Sequence, residues 1–171
     1  MIKLPVLDFK QDSHCSYCGS RFTEQVAWPR KCFICWNESY KNPLPVVVVL
    51  IPVLNGVLIQ QRGIMPGKGE WALPSGYIND KETYQQAAVR EMKEEIYLDS
   101  KVEDYELFDV CSSIAGTLLI FAVGKSLTSI SSLNFFPNEE VLDIKTICDL
   151  EKLAFPTHTE MVKRYFDYLD K

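Results

Sequence analysis

Residues 76–98 constrain this chain more than any other part of its sequence. A helix through the second half of this stretch places Glu91, Glu94 and Glu95 on one face, because residues three and four apart in a helix lie about 5–6 Å from each other. Carboxylates held this close repel one another, and a bound cation would relieve the repulsion. Oxygen ligands with no His or Cys nearby suit a hard ion, so the pattern predicts a Mg²⁺ or Mn²⁺ site.

The constrained residues of this stretch are, in order, Gly76, Glu82, Arg90-Glu91-Met92, Glu94-Glu95 and Leu98. Their spacing resembles the signature of the Nudix hydrolases. The alternative, an acidic helix face that is simply solvated, would leave Gly76, Glu82 and Arg90 unexplained. One position departs from the family pattern, which has Gly where this chain has Tyr97. A left-handed turn is costly for Tyr, so we expect the helix to end differently here without losing the metal site.

The resemblance implies both a fold and a reaction. The fold would be an α/β/α sandwich around a mixed sheet, and the reaction would cleave a nucleoside diphosphate linked to another group by attack of water on phosphorus. Carried over residue by residue, the resemblance makes Glu91 and Glu95 the main ligands of Mg²⁺ or Mn²⁺, and Glu94 a further ligand or water contact. Arg90 would orient these carboxylates, and Glu82 would support the preceding loop.

Residues outside the helix are expected to contact the substrate or move a proton. The missing Cβ of Gly76 would let the backbone approach the phosphates, and Arg62 is either a phosphate contact or an exposed arginine at the end of a strand. The family draws its general base from different loops. Glu139 and Glu140, which precede a late strand, are the candidates by position, and solvated loop carboxylates are the alternative. We take Glu140 as the predicted base.

Four cysteines near the N-terminus form a second group. Cys15 and Cys18 make one pair, Cys32 and Cys35 make another, and thirteen residues separate the two pairs. This is the spacing of a four-thiolate zinc ribbon. Disulfides are the alternative, but they need an oxidising compartment that the N-terminal sequence does not indicate. Because four thiolates fill a tetrahedral site, the predicted Zn²⁺ is structural, and it would supply much of the folding energy of so small a module.

Length and composition limit the possible classes of protein. With 171 residues, 47% of them hydrophobic and 24% charged, the chain can hold one core and a small appended module. We place the zinc ribbon within residues 1–41 and the hydrolase domain at residues 42–171. The net charge of -5 gives no basic surface for long nucleic acid. The longest apolar run, residues 46–54, falls short of the ~20 residues that span a bilayer, so no membrane partner is expected.

The remaining expectations concern location and assembly. The N-terminus lacks the apolar segment of a secretory signal and the Arg-rich composition of a transit peptide, which predicts a cytoplasmic protein. The expected partner is a small nucleotide substrate. Dimers are common among Nudix relatives, so the resemblance also implies a possible homodimer.

Hydrophobic patterning predicts an alternation of strands and helices after the ribbon. The predicted strands are 46–53, 57–61, 71–77, 102–111, 117–123 and 141–147, and the predicted helices are 83–96 and 157–169. A turn at Asn55-Gly56 would join the first two strands as a hairpin. In the last helix we expect a capping box between Thr157 and Glu160, with Leu169 among the residues that face the core.

The likeness to one Nudix subgroup narrows the substrate. Zinc-ribbon enzymes that act on FAD and ADP-ribose resemble this chain in the segments Asn42-Pro43, residues 71–77 and Leu153-Ala154-Phe155. NADH pyrophosphatases also place a ribbon before the signature, but they carry a later proline-rich segment that this sequence lacks. FAD or ADP-ribose is therefore expected ahead of NADH, with AMP and the other phosphate as products. The alternatives are removal of oxidised nucleoside triphosphates, hydrolysis of RNA caps, and a non-catalytic platform that binds nucleotides or docks a partner.

Overall fold

The computed structural model of this chain describes residues 11–23 and 27–169. The chain divides into two compact units, Met1–Pro43 and Leu44–Lys171. In the first unit two short strands, β1 (Arg30–Lys31) and β2 (Glu38–Ser39), pair antiparallel. These strands flank the second pair of cysteines, so that segment is a small hairpin.

The second unit interleaves strands and helices. In chain order its elements are β3 (Pro45–Leu50), β4 (Pro52–Val53), β5 (Gly56–Arg62), β6 (Trp71–Ala72), β7 (Ser75–Tyr77), α1 (Tyr84–Ile96), β8 (Glu106–Ser112), β9 (Leu118–Val123), β10 (Val141–Ile147) and α2 (Pro156–Leu169). Short 3-10 helices lie at Val102–Asp104 and Ile130–Ser132. In the part of the chain that is described, neither α1 nor α2 has the length and apolar character needed to cross a membrane.

The strands of the second unit form two sheets, and Ile51 connects β3 of one sheet to β4 of the other. One sheet has the order β7-β3-β9-β8, in which β3 and β9 run parallel and the other neighbours run antiparallel. The other sheet has the order β10-β5-β4, with β6 also paired to β5, and all of its pairs are antiparallel. The combination of parallel and antiparallel pairs confirms the predicted mixed α/β class.

Two apolar clusters lie on opposite sides of β3. Val47 and Val49 pack in the cluster that contains Ala88 and Met92 of α1, whereas the neighbouring Val48 belongs to the cluster of α2. Successive residues of a strand point to opposite faces of the sheet, so β3 is covered on both sides. This explains its uninterrupted valine run, and it produces the layered arrangement of helix, sheet and helix.

The structure divides two segments that were predicted as single strands. The run 46–53 splits into β3 and β4, and the run 71–77 splits into β6 and β7, with the parts in different sheets. A proline stands at each division, Pro52 at the start of β4 and Pro74 between β6 and β7. Proline has no N–H to donate to a sheet, so it is confined to strand starts and edges.

The C-terminus of α1 differs from the expectation. Tyr97 adopts the left-handed conformation, with φ 59° and ψ 25°, so the prediction that the helix avoids this turn is wrong. The backbone N–H groups of Tyr97 and Leu98 both donate to the carbonyl oxygen of Met92. The ring of Tyr97 also contacts Phe135 edge-on, at 6.3 Å between ring centroids. These contacts hold a conformation that costs a non-glycine residue about 1–2 kcal/mol.

The N-terminus of α2 also differs from the expectation. The helix begins at Pro156, so Thr157 lies within its first turn and the predicted capping box with Glu160 is wrong. Proline is favoured at the first helical position, because its ring fixes φ and the missing N–H would have no helical partner there. Leu169 is about half exposed, so its predicted place in the core is also wrong. By contrast, Thr83 caps α1 and forms a capping box with Gln86.

Candidate active site and cysteine cluster

Glu95 is buried in the last turn of α1. Its two carboxylate oxygens accept one hydrogen bond each, from the side-chain amide of Gln60 at 2.8 Å and from the backbone N–H of Ser75 at 3.1 Å. Burial raises the pKa of the Glu95 carboxyl to about 8, and the charges of Glu91 and Glu140 act in the same direction. Gln60 on β5 and Ser75 on β7 thus hold the Glu95 carboxylate in place through these two hydrogen bonds.

Glu91 lies one turn earlier on the same helix and faces Gly76. A Cβ on Gly76 would overlap the carboxylate of Glu91, so only glycine leaves room for this side chain. The structure thus explains why glycine is needed at position 76: it leaves room for the Glu91 carboxylate. The predicted reason was an approach of the backbone to phosphates. Burial raises the pKa of Glu91 as well, although Arg90 at 2.5 Å opposes the shift.

Glu94 differs from the other two carboxylates because its side chain is 61% exposed. It accepts a 3.3 Å hydrogen bond from the same Arg90 nitrogen that contacts Glu91. Among the described residues, the only group of three or more metal-type side chains with clustered ligand atoms is the cysteine group. Each of the carboxylates of Glu91, Glu94 and Glu95 accepts hydrogen bonds from protein donors, and their shared metal site stays a prediction.

Arg90 joins the helix to the loop that precedes it. It donates from Nε and Nη2 to the two oxygens of Glu82, at 3.0 and 2.8 Å, and from Nη2 to the carbonyl of Tyr77 at 2.8 Å. Glu82 also accepts the backbone N–H of Asn79. These hydrogen bonds, led by those from Arg90, lower the pKa of Glu82. The pair therefore fixes residues 77–82 against α1, with a bidentate geometry that only arginine provides.

The turn that carries Glu140 lies beside this helix. The side-chain oxygen of Asn138 accepts the backbone N–H groups of Glu140 and Val141, at 2.9 and 2.8 Å, and its amide donates to the backbone oxygen of Glu95 at 3.2 Å. Glu140 itself is exposed. Its negative charge contributes to raising the pKa values of Glu91 and Glu95, which places the predicted base within electrostatic reach of both.

The donor set around Glu95 fits a hard divalent cation. Gln60 is 1% exposed, and its Oε1 is buried without a hydrogen-bond partner among the described residues. A buried oxygen without a partner is unfavourable by about 1–3 kcal/mol, so the site has unused capacity for a donor or an ion. Oxygen atoms from carboxylates and amides are the ligands that Mg²⁺ and Mn²⁺ prefer.

Arg62 lies at the end of β5, as predicted. Its Nε donates to the carbonyl of Pro66 at 2.7 Å, and its guanidinium lies 5.1 Å from the centroid of the Phe155 ring. Stacking on an aromatic ring and one backbone hydrogen bond restrict its position. Of the guanidinium nitrogens only Nε donates to Pro66, so the N–H groups of Nη1 and Nη2 can donate to other partners.

Some residues of this region were not found from the sequence. Gln60 and Asn138 contact Glu95 from parts of the chain that are distant in sequence, and His158 contacts Leu73 just after β6. His158, which is buried in α2, accepts the backbone N–H of Leu73 at 3.2 Å through Nδ1. Burial lowers the pKa of His158 to about 3, and the charge of Arg62 adds to this shift. The sequence offered one indication of the first and third residues. Gln60 follows the apolar run of β5, and His158 lies at helical spacing from the apolar Met161 and Val162.

The four cysteines of the first unit lie together, and their ligand atoms are all within 4.8 Å of one another. A tetrahedral Zn²⁺ with bonds near 2.3 Å requires sulfur separations of ~3.8 Å. The Cys15–Cys35 and Cys18–Cys32 sulfurs are 3.6 and 3.7 Å apart. Backbone N–H groups of Tyr17 and Ile34 donate to the sulfurs of Cys15 and Cys32. Hydrogen bonding to Ser20 lowers the pKa of Cys32 to about 6.

An acidic helix with oxygen donors for a hard cation, set in a layered α/β fold, is typical of enzymes that hydrolyse phosphate anhydrides with a divalent metal. The family model described as the NUDIX domain matches residues 41–169. The chain belongs to the Nudix family and is a Nudix hydrolase. Enzymes of this family generally use divalent metals and act on small nucleotide substrates.

Relatives with assigned names give further comparisons. The ADP-ribose pyrophosphatase of Methanocaldococcus jannaschii is 32% identical over 156 residues, which cover 86% of this chain and 86% of the relative. The NAD-capped RNA hydrolase NudC of Photorhabdus laumondii is 28% identical over 88 residues, which cover 51% of this chain and 34% of the relative. This chain therefore shares a segment with NudC and spans about a third of its length.

Solved structures show the same fold. The NUDIX hydrolase from Nitrosomonas europaea has a TM-score of 0.64 and 28% identity, and the match covers 91% of this chain and 90% of that chain. The NUDIX domain of Shewanella oneidensis NrtR complexed with ADP ribose has a TM-score of 0.63 and 20% identity, over 76% and 90% of the two chains. At the identity of the second match, the likeness shows the fold alone.

Proposed function

We propose that this protein hydrolyses the pyrophosphate bond of an ADP-linked compound, with ADP-ribose and FAD as the expected substrates. The observation that carries the proposal is the buried pair of carboxyl groups on α1, with Glu91 against Gly76 and Glu95 held by Gln60 and Ser75. The full-length similarity to an ADP-ribose pyrophosphatase supports the substrate class. The products would be AMP and the phosphate of the second group.

We assign the catalytic metal to the carboxylates of α1. Glu91 and Glu95 would hold Mg²⁺ or Mn²⁺ most directly, and the exposed Glu94 would contribute an oxygen or hold a water. A divalent metal bound there would polarise a phosphoryl oxygen and lower the pKa of a bound water. Gln60 and the backbone of Ser75 keep Glu95 in place, and Arg90 does the same for Glu91.

The remaining residues of the site have distinct tasks in the proposed reaction. Glu140 accepts a proton from the attacking water, whose oxygen forms the new bond to phosphorus while the bond to the bridging oxygen breaks. The leaving phosphate keeps that electron pair. Arg62 contacts a substrate phosphate through the N–H groups that face away from Pro66. Glu82 holds the loop between β7 and α1 through its bidentate pair with Arg90.

We propose that the first unit is a structural zinc ribbon within residues 1–41 and that residues 42–171 form the hydrolase domain. The sulfur separations support one tetrahedral Zn²⁺, and four thiolates leave it no open position for a catalytic water. Zinc and the catalytic metal would then have separate roles in the two units.

A substrate screen tests the proposed function. The purified protein is incubated with ADP-ribose, FAD, NADH and an oxidised nucleoside triphosphate, each with Mg²⁺ and with Mn²⁺, and the phosphate-containing products are identified. We expect AMP from ADP-ribose or FAD, with kcat/KM above the values for the other compounds. The partial similarity to NudC makes NADH the second candidate, and a preference for NADH would replace the substrate assignment. No turnover of any of them would favour a non-catalytic platform.

A further inference from the structure

The side chain of Asn138 joins the turn at residues 138–141 to α1. The oxygen of Asn138 accepts the N–H groups of Glu140 and Val141, and the backbone of Asn138 donates to the carbonyl of Val141 at 2.8 Å. These bonds shape the turn. The amide nitrogen of Asn138 points the other way and donates to the backbone oxygen of Glu95. One residue therefore shapes the turn and also attaches it to the helix that carries the acid pair.

A second contact joins the same turn to β5. The backbone N–H of Gly63 donates to the carbonyl of Glu140 at 2.7 Å. A Cβ on Gly63 would overlap the carbonyl oxygen of Glu139, so the close approach requires glycine. Gly63 follows Arg62 directly, so the turn is fixed to the strand end that supplies the proposed phosphate contact.

These two attachments fix the backbone from which the Glu140 side chain extends. We propose that Asn138 is a positioning residue for hydrolysis, which holds Glu140 at the distance from Glu91 and Glu95 where it can take a proton from the attacking water. The inference rests on the proposed function of Glu140 as general base. It goes beyond that function in assigning a role to a residue that acts through the backbone of Glu140.

The geometry explains why the base needs such support. The Glu140 side chain is exposed, and neither of its carboxylate oxygens is held by a hydrogen bond among those seen in the described part of the chain. Among the described residues, the hydrogen bonds that hold this base act on its backbone. A displacement of about 1 Å at a catalytic group can lower a rate by as much as 10²-fold.

A double-mutant cycle tests this assignment with ADP-ribose as substrate. We expect Glu140→Gln to lower kcat by about 10²-fold or more, because general base catalysis contributes 10²–10⁴-fold. Asn138→Ala should lower kcat about 10-fold with little change in KM, and it should have no further effect in the Glu140→Gln background. An equal loss in both backgrounds would overturn the positioning role, since it would show that Asn138 acts independently of Glu140.

Amide hydrogen exchange and Mn²⁺ binding provide readouts other than turnover. In Asn138→Ala the backbone amides of Glu140 and Val141 should lose protection, while the affinity for Mn²⁺, measured by titration, should stay unchanged. Retained protection of both amides would contradict the inference. So would a large loss of Mn²⁺ binding, because it would show that the variant disturbs the acid pair itself.

Two further variants separate positioning from loss of fold. Asn138→Asp keeps the acceptor for both amides and loses the donor to Glu95, so it should retain more activity than Asn138→Ala. Gly63→Ala displaces the turn from the β5 side and should reproduce the kinetics of Asn138→Ala. If Glu140→Gln keeps full activity, the proposed base is wrong. If only the Asn138 and Gly63 variants keep full activity, the base stands and the positioning role is wrong.

Discussion

The cysteine cluster and the acid site differ in how their metal-type side chains are held. The four sulfurs approach one another within 4.8 Å and come from two local pairs in the sequence. The carboxylates of the acid site are instead each held by protein donors, Glu91 by Arg90 and Glu95 by Gln60 and Ser75. The difference shows that local spacing in the sequence brings the sulfurs together, whereas the carboxylates depend on donors from other elements of the fold.

The largest expected effect is on catalysis, from Glu95→Gln. We expect kcat/KM for ADP-ribose to fall about 10³-fold, because the substitution removes one charge from the proposed metal site. Glu94→Gln is the matched control. Because Glu94 is exposed, this variant should lower kcat/KM by about 10-fold or less. Steady-state kinetics at several Mg²⁺ concentrations measures both. Equal losses in the two variants would contradict the unequal roles assigned to the two carboxylates.

The same substitution should increase stability at neutral pH. Burial raises the pKa of Glu95 to about 8 in the folded protein, against an ordinary value of 4.5, so ionisation of Glu95 opposes folding. The stabilising contribution of the protonated form is complete below pH 4.5 and is lost as the pH rises towards 8. Glu95→Gln should therefore gain about 1–3 kcal/mol at pH 7 to 8 in metal-free buffer, as measured by urea unfolding. A loss of stability would contradict the burial of the charge.

In the cysteine cluster, the substitution Cys32→Ser should abolish tight binding of the proposed Zn²⁺. Elemental analysis should find about one Zn²⁺ per chain in the native protein, and much less in the variant, because a three-thiolate site binds more weakly. Cys111→Ser serves as the control, since Cys111 lies in β8 outside the cluster. Native protein without zinc, or with disulfides detected by mass spectrometry, would contradict the ribbon.

The buried histidine of α2 predicts that stability depends on pH. Burial lowers the pKa of His158 to about 3 in the folded protein, and its ordinary value is 6.5. The neutral form is needed because Nδ1 accepts the N–H of Leu73. Stability from this group is therefore present above pH 6.5 and is lost as the pH falls towards 3. Between pH 7 and pH 5 we expect a loss of about 1–2 kcal/mol from this residue.

Urea unfolding at the two pH values measures this effect. His158→Gln keeps an acceptor oxygen for the N–H of Leu73 but does not titrate in this range, so its stability should change less between pH 7 and pH 5. If the native protein and the variant lose stability equally, His158 is not the titrating group.

The smallest expected effect is at the end of α1. Tyr97→Gly should be more stable than Tyr97→Ala by about 1 kcal/mol, since both lose the contact with Phe135 but only Gly relieves the left-handed strain. Thermal unfolding of the two variants decides this. Equal stability would mean that the left-handed conformation does not survive the loss of the tyrosine ring.

The sequence predicted the parts of the molecule whose residues interact locally. The helix with Glu91 and Glu95 and the two cysteine pairs depend on short spacings, which the sequence displays directly, whereas the pairing of Arg90 with Glu82 was not predicted. Gln60 and Asn138 contact Glu95 from 35 and 43 residues away, so their partners depend on strand pairing and on the path of the turn before β10. The left-handed Tyr97 was missed because tertiary contacts outweighed its local preference.

The central claim is that the acid site on α1 carries out metal-dependent hydrolysis while the cysteine cluster does not. The most direct measurement is turnover of ADP-ribose by zinc-loaded protein, first freed of Mg²⁺ and Mn²⁺ by gel filtration and then titrated with Mg²⁺. We predict no turnover before the addition, and AMP with ribose 5-phosphate after it. Turnover that is equal without Mg²⁺, or that is unaffected by Glu95→Gln, would contradict the account.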